Sequence, residues 1–232
     1  FTPDKGIIVN VNGVYQNYNN VAQLKISSME LVEGADVDDF LPKSDKNALE
    51  MANELKKFLN QNLKSWYFKE LANKFINDDN IFSEFIRKPA AKSIHHAYIH
   101  GLLEHTLSMM KLCVLIGDYY GNDVNNELLI MGALFHDCGK IMELDIENSF
   151  EYTTEGKLLG HLILGMELVN KYVSEIDNFT EKARQLVIHL IASHHGYLEY
   201  GSPKRPKTKE AMILHAVDNL DSKLASMDSI FD

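Results

Sequence analysis

The run Leu128-Leu-Ile-Met-Gly-Ala-Leu-Phe135 is apolar all the way round a helix, and it ends in His136-Asp137. A helix without a polar face has to be buried, so these two polar side chains leave its end inside the molecule. Burying them without partners costs free energy, and a ligated metal is a natural explanation. The chain carries more donors of the same kind: His105, His161, His194-His195 and Asp218. One histidine on an amphipathic helix is ordinarily a packed or surface residue, whereas the joint pattern supplies enough donors for two ions. Imidazole and carboxylate together favour borderline or harder divalent cations. No thiolate set points to structural zinc.

His105, His136-Asp137 and Asp218 match the H...HD...D signature of the HD-domain metal-dependent phosphohydrolases, and His161 with His194-His195 match the extra ligands of members holding two metals. The strings His95-His-Ala-Tyr98, Gly101-Leu-Leu-Glu-His105-Thr, His194-His-Gly-Tyr-Leu-Glu-Tyr-Gly-Ser-Pro203 and Asp218-Asn-Leu-Asp221 look like the YhaM family. Those are 3'-to-5' exoribonucleases of Gram-positive bacteria. The resemblance covers roughly residues 1 to 226, and the string after the double histidine is its most specific part.

The resemblance implies a ligand set. His105, His136 and Asp218 would hold one metal and His161, His194 and His195 the other, with Asp137 bridging through its two oxygens. It implies manganese first, with iron and zinc as alternatives. Asp137, Lys140 and His96 are the candidate catalytic residues. Lys140 follows Asp137 by three residues, so a helical turn puts it on the same side, where it would meet the substrate phosphate. The alternative is a lysine satisfying helix-end carbonyls; the His-Asp-x-Gly-Lys match favours function. His95 and His96 either serve the scissile phosphate and its leaving oxygen or pack against the first ligand helix. His100, His189 and His215 match no family ligand.

A formal charge of −10 argues against a protein that coats nucleic acid generally, because phosphate contacts need cations at the contact surface. The charge is unevenly placed: Ser202-Pro-Lys-Arg-Pro-Lys-Thr-Lys209 holds four bases and no acid, just past the double histidine. From composition it is a solvated loop; the resemblance makes Ser202, Lys204, Arg205 and Lys207, with His95, candidate substrate contacts. Arginine suits bidentate phosphate binding, and Tyr197 and Tyr200 are placed to stack bases or to pack. Cys113 and Cys138 lie in apolar helical patterns and read as reduced, buried thiols. No apolar stretch reaches the roughly 18 to 20 residues of a membrane span, and a cytoplasmic protein is the expectation.

The 232 residues, 45% hydrophobic, suffice for one well-buried domain and a small module. The expected fold is mainly α: a helical HD bundle preceded by a small β-hairpin. The hairpin spans residues 6 to 32 and turns around Asn17-Tyr-Asn-Asn20. The resemblance makes it the last two strands of an OB-fold, with the first three strands missing through truncation or reduction. The expected division is a partial OB-like module at 1–34, a linker at 35–46 and the phosphohydrolase at 47–232, with Ser44-Asp45 as a helix cap. Glu143 to Lys157 reads as a loop or short β-hairpin, with helices resuming near Leu158.

The expected activity is metal-dependent 3'-to-5' hydrolysis of single-stranded RNA, with single-stranded DNA as a second substrate, releasing 5'-mononucleotides. The alternatives are a cyclic dinucleotide or nucleotide phosphodiesterase and a non-catalytic nucleic-acid-binding module. The chain lacks the Gly-Tyr-Pro tripeptide of the cyclic-di-GMP hydrolases, and its complete ligand set argues against an inactive scaffold. Oligomeric state stays open, a homo-oligomer included.

Overall fold

A computed structural model of the chain describes residues 6–92, 96–146 and 150–231, the last four without their side chains. The strands β1 (Val9–Tyr18) and β2 (Val21–Leu31) pair antiparallel, with a bulge after Asn12. Asn19 and Asn20 take positive φ of 50° and 62° at the turn, the geometry that lets a two-residue hairpin follow the twist of its strands. One face carries Val9, Val11, Tyr15, Leu24, Ile26, Met29 and Leu31, and Tyr15 and Leu24 are exposed.

The rest is helical: α1 (Ala48–Asn62), α2 (Trp66–Ile76), α3 (Asp79–Arg87), α4 (Gly101–Tyr120), α5 (Asn126–Phe135), α6 (Lys140–Glu143), α7 (Thr154–Ser174), α8 (Glu181–Ser193) and α9 (Lys209–Phe231). Helix α5 is the axis of the bundle. Asn125 caps it by accepting from Leu128 N, and every residue from Leu128 to Phe135 is buried, as an all-apolar helix requires. Helices α4, α8 and α9 pack around it. Phe75 joins α2 to this core, edge-on to Phe85 and Phe135 at 5.1 and 5.3 Å between ring centres. No described helix is long and apolar enough to cross a membrane.

Two boundaries differ from the sequence expectation. Asn47, not Ser44-Asp45, caps α1, accepting from Glu50 N. Ser44 is drawn away: its backbone N bonds to Ile99 O and its hydroxyl to Glu104. Helix α7 starts at Thr154, ahead of Leu158, with Thr153 accepting from Gly156 N. A break at Gly160 resets its apolar phase, which hid the first turn. Between α6 and α7, the strands β3 (Leu144–Asp145) and β4 (Glu151–Tyr152) form the short hairpin. Residues 147–149 at its tip lie outside the described residues.

Candidate metal and catalytic centre

Five helices deliver the donors to one place. His105 lies in the first turns of α4, buried. His136 ends α5 and Asp137 follows it, both buried. His161 follows the break in α7, where Gly160 has φ 73° and ψ 159°. That break redirects the His161 backbone N–H to the Glu143 carboxylate at 3.0 Å. His194 ends α8, His195 follows it, and Asp218 lies in α9.

Each of the five imidazoles is anchored through Nδ1. His136 donates to Ala133 O at 2.9 Å, His194 to Ile191 O at 2.8 Å and His195 to Tyr200 O at 2.9 Å. His105 Nδ1 meets Asp221 at 2.7 Å and His161 Nδ1 meets Glu143 at 3.2 Å. A carbonyl or carboxylate partner puts the proton on Nδ1 and turns the Nε2 lone pair outward, the tautomer of a metal-binding histidine. The Nε2 atoms of His105 and His136 come within 3.1 Å, and those of His161 and His195 within 3.3 Å.

The donors form two sets, His105, His136 and Asp218, and His161, His194 and His195, with the donor atoms of each set within 4.8 Å of one another. Asp137 stands between them. Its Oδ2 lies 3.3 Å from His136 Nε2 and 2.7 Å from Lys140 Nζ. Its Oδ1 faces His161 and His194 Nε2 at 3.5 and 3.6 Å. That Oδ1 is buried without a hydrogen-bond partner, a costly arrangement that a cation at this point resolves. The residues present therefore fit a pair of divalent ions.

The electrostatics agree. Burial pushes His194 down to about 3, despite Asp137, so it is neutral, the state in which an imidazole can bind a cation. Burial also opposes charge on His105, but hydrogen bonds to Asp218 and Asp221 outweigh it and push the group up to about 9. Positive charge is favoured at His105, beside the two carboxylates. Asp137 and Asp218 are both held below the ordinary carboxylate range; burial opposes this, and it is overcome chiefly by Lys140 and His136 for Asp137 and by His105 and His136 for Asp218. Burial raises the thiol of Cys138, which points to Gly165 O at 3.8 Å and stays protonated.

The centre opens into a cleft of about 470 Å³, reached by Asp137, Lys140, His161, His194, His195 and Asp218. Residues 102–223, just over half the chain, match the family model described as "HD domain". The 3'-5' exoribonuclease YhaM of Bacillus subtilis (strain 168) is 36% identical over 224 residues, which is 95% of this chain and 70% of that protein. The chain belongs to the YhaM family of HD-domain proteins. It is accordingly a phosphodiester hydrolase. No solved structure matches it significantly.

Other expected site residues of this YhaM-family chain lie elsewhere. His96 Nδ1 is 2.7 Å from Tyr98 OH and its Nε2 3.3 Å from Asp221, so it sits behind His105 and does not line the cleft. His95 lies outside the described residues. Ser202 is buried, its hydroxyl within 2.9 Å of the carbonyls of Ala192 and Lys204, so it shapes the loop and is not open to a ligand. Lys204, Arg205 and Lys207 are exposed and off the cleft lining. Arg205 stacks over Tyr197, which touches Tyr200 on the cleft rim.

Sequence reasoning missed several residues. Asp221 accepts from His105 and from Ser108 Oγ, the latter at 2.5 Å. Its place three residues after Asp218 in a helix was the available signal. Glu143, which orients His161, carried none, because it acts from a four-residue helix next to the β3–β4 turn. Lys92, Tyr152 and Lys223 line the cleft from segments far apart in sequence.

Proposed function

We propose that this chain is a metal-dependent 3'-to-5' exonuclease that hydrolyses single-stranded RNA, and single-stranded DNA as a second substrate, to 5'-mononucleotides. The observation that carries the reading is the convergence of five Nε2 atoms and the Asp137 and Asp218 carboxylates at the base of a cleft of about 470 Å³. A YhaM-family relative is named for that reaction.

In this reading His105, His136 and Asp218 would hold one divalent ion and His161, His194 and His195 the other, with Asp137 standing between the two sets. Manganese is the first candidate by family resemblance, with iron and zinc as alternatives. When bound, such a pair lowers the pKa of water and neutralises charge on phosphoryl oxygens. Lys140 supplies a fixed cation at the cleft base. Burial opposes its charge, but the Asp137 carboxylate raises its pKa above the ordinary value, so it stays an ammonium and binds a non-bridging oxygen of the scissile phosphate. Asp221 and Glu143 keep the His105 and His161 rings in register, and His96 positions Asp221. Lys204, Arg205 and Lys207 meet only a strand long enough to pass the rim at Tyr200. Residues 47–232 form the catalytic part, 35–46 the linker, and the module at 1–34 guides the strand.

The test is a gel assay of 5'-labelled single-stranded RNA in manganese, magnesium and chelator, with products identified by mass. A manganese-dependent ladder shortening from the 3' end and releasing 5'-mononucleotides is expected. Intact RNA with metal bound would move the assignment to a cyclic dinucleotide or nucleotide phosphodiesterase.

A further inference from the structure

Helix α9 gives the cleft more than the ligand Asp218. Asn219, Ser222, Lys223 and Ser226 also line it, and positions one, four, five and eight residues beyond Asp218 form a single stripe along the helix. The stripe leads outward from the metal-binding donors, from half-buried Asp218 to exposed Lys223. It is free of acidic side chains after Asp218.

Three lysines line the cleft, and their charges are not equally available. Lys140 is held by Asp137 at 2.7 Å at the base of the cleft, where it serves the scissile phosphate and no other. Lys92 is spent on Glu151 at 2.5 Å and lies over the Tyr152 ring at 5.6 Å, which fixes the β3–β4 hairpin as part of the rim. Lys223 has no ion pair or hydrogen bond among the described residues. Five residues of helix rise separate it from Asp218, about 7.5 Å along the axis, comparable to the step between neighbouring phosphates of an extended strand. An ammonium on a flexible stem at that distance is suited to a phosphate as a point charge.

We infer that Lys223 binds the phosphate on the 5' side of the linkage being hydrolysed, making α9 the wall that distinguishes a nucleotide strand from a lone phosphodiester. The inference rests on the exonuclease reading above and adds to it a specificity residue. Lys223 touches no reacting atom, so its effect falls on strand capture and leaves the chemical step alone.

The experiment compares the wild-type chain, Lys223→Gln, Lys223→Arg and Lys182→Gln, an exposed lysine on α8 away from the cleft. Each is assayed in manganese with a short oligoribonucleotide and with bis(4-nitrophenyl) phosphate, which has one diester and no second phosphate. Lys223→Gln is expected to raise KM for the oligoribonucleotide about 10-fold with kcat unchanged. It should reduce the slope of log KM against log salt by about 0.7 and leave the small diester untouched. Lys223→Arg should retain wild-type KM. A Lys223→Gln variant indistinguishable from Lys182→Gln, or one that loses kcat on both substrates, overturns the inference. Wild type that cleaves the small diester and leaves the oligoribonucleotide intact overturns the exonuclease reading itself, a separate outcome.

Discussion

Asp221 lies one turn beyond Asp218 on α9, and its carboxylate accepts a hydrogen bond from His105 Nδ1 at 2.7 Å. Without that anchor the His105 ring is free to rotate its Nε2 away from His136. Asp221→Asn is therefore expected to lower metal affinity about 10- to 100-fold, measured by calorimetric titration, while the circular dichroism spectrum stays wild type. Wild-type affinity in this variant would remove Asp221 from the account. The first ring of donors was legible in the sequence because His136-Asp137 ends an apolar helix and its five companions are donors of the same chemistry. The supporting carboxylates were not, since Glu143 and Asp221 are ordinary helix residues until the fold points them at His161 and His105. The placement of Ser202 was hidden for the complementary reason: its neighbours are basic, but its hydroxyl faces the carbonyls of Ala192 and Lys204.

At the scale of elements, the break in α7 decides where the second ligand set forms. Gly160 adopts a backbone conformation open essentially to glycine alone, and within 4 Å of an added Cβ there is only the Glu143 carboxylate at 3.8 Å. The cost of Gly160→Ala is thus conformational and not steric, about 1–3 kcal/mol. It should lower Tm by about 2 to 4 °C per kcal/mol and weaken metal binding at His161. An unchanged Tm would mean that the break is not required. Gly139 holds the same region by close approach, since a Cβ there would meet His161 O at 2.0 Å.

The segment before α1 is tied down by charge. Arg87 at the end of α3 donates to both Asp38 oxygens, at 2.9 and 2.6 Å, and this holds the Asp38 carboxyl below its ordinary value of 3.8. A lowered carboxyl contributes stability above its unfolded pKa and loses it as pH falls through the folded value. Asp38→Asn should therefore lower Tm near pH 7 by about 1 to 3 °C, and the difference should shrink as pH falls below 3.8 and through the lowered folded value. A difference that persists in acid would assign the effect to packing. Most helices were legible from apolar spacing, and the two misplaced starts have local causes, the Gly160 break and the diversion of Ser44 to Ile99 and Glu104.

Over the whole molecule, the helical bundle and the hairpin follow different rules. The bundle is built on α5 and closes around the donors. The hairpin's extensive contacts are within itself, and Tyr15, Leu24 and Ile26 of its apolar face are exposed; two strands alone are marginal in water. Removing residues 1–32 should leave hydrolysis of bis(4-nitrophenyl) phosphate at the wild-type rate and raise KM for RNA. Loss of the small-substrate activity would show that the hairpin supports the bundle. Its strands and Asn-rich turn were legible from residue types, whereas nothing in those residue types says what covers it.

If the donor sets flanking Asp137 form one two-cation centre, hydrolysis depends on both ions. The most direct measurement is metal content per chain, by mass spectrometry after reconstitution with manganese, alongside RNA hydrolysis, in wild type and Asp137→Ala. Two equivalents and turnover are expected in the wild type, fewer equivalents and no turnover in the variant, and loss of turnover in chelator. Wild-type-like hydrolysis by Asp137→Ala, or by metal-stripped protein, would contradict that dependence.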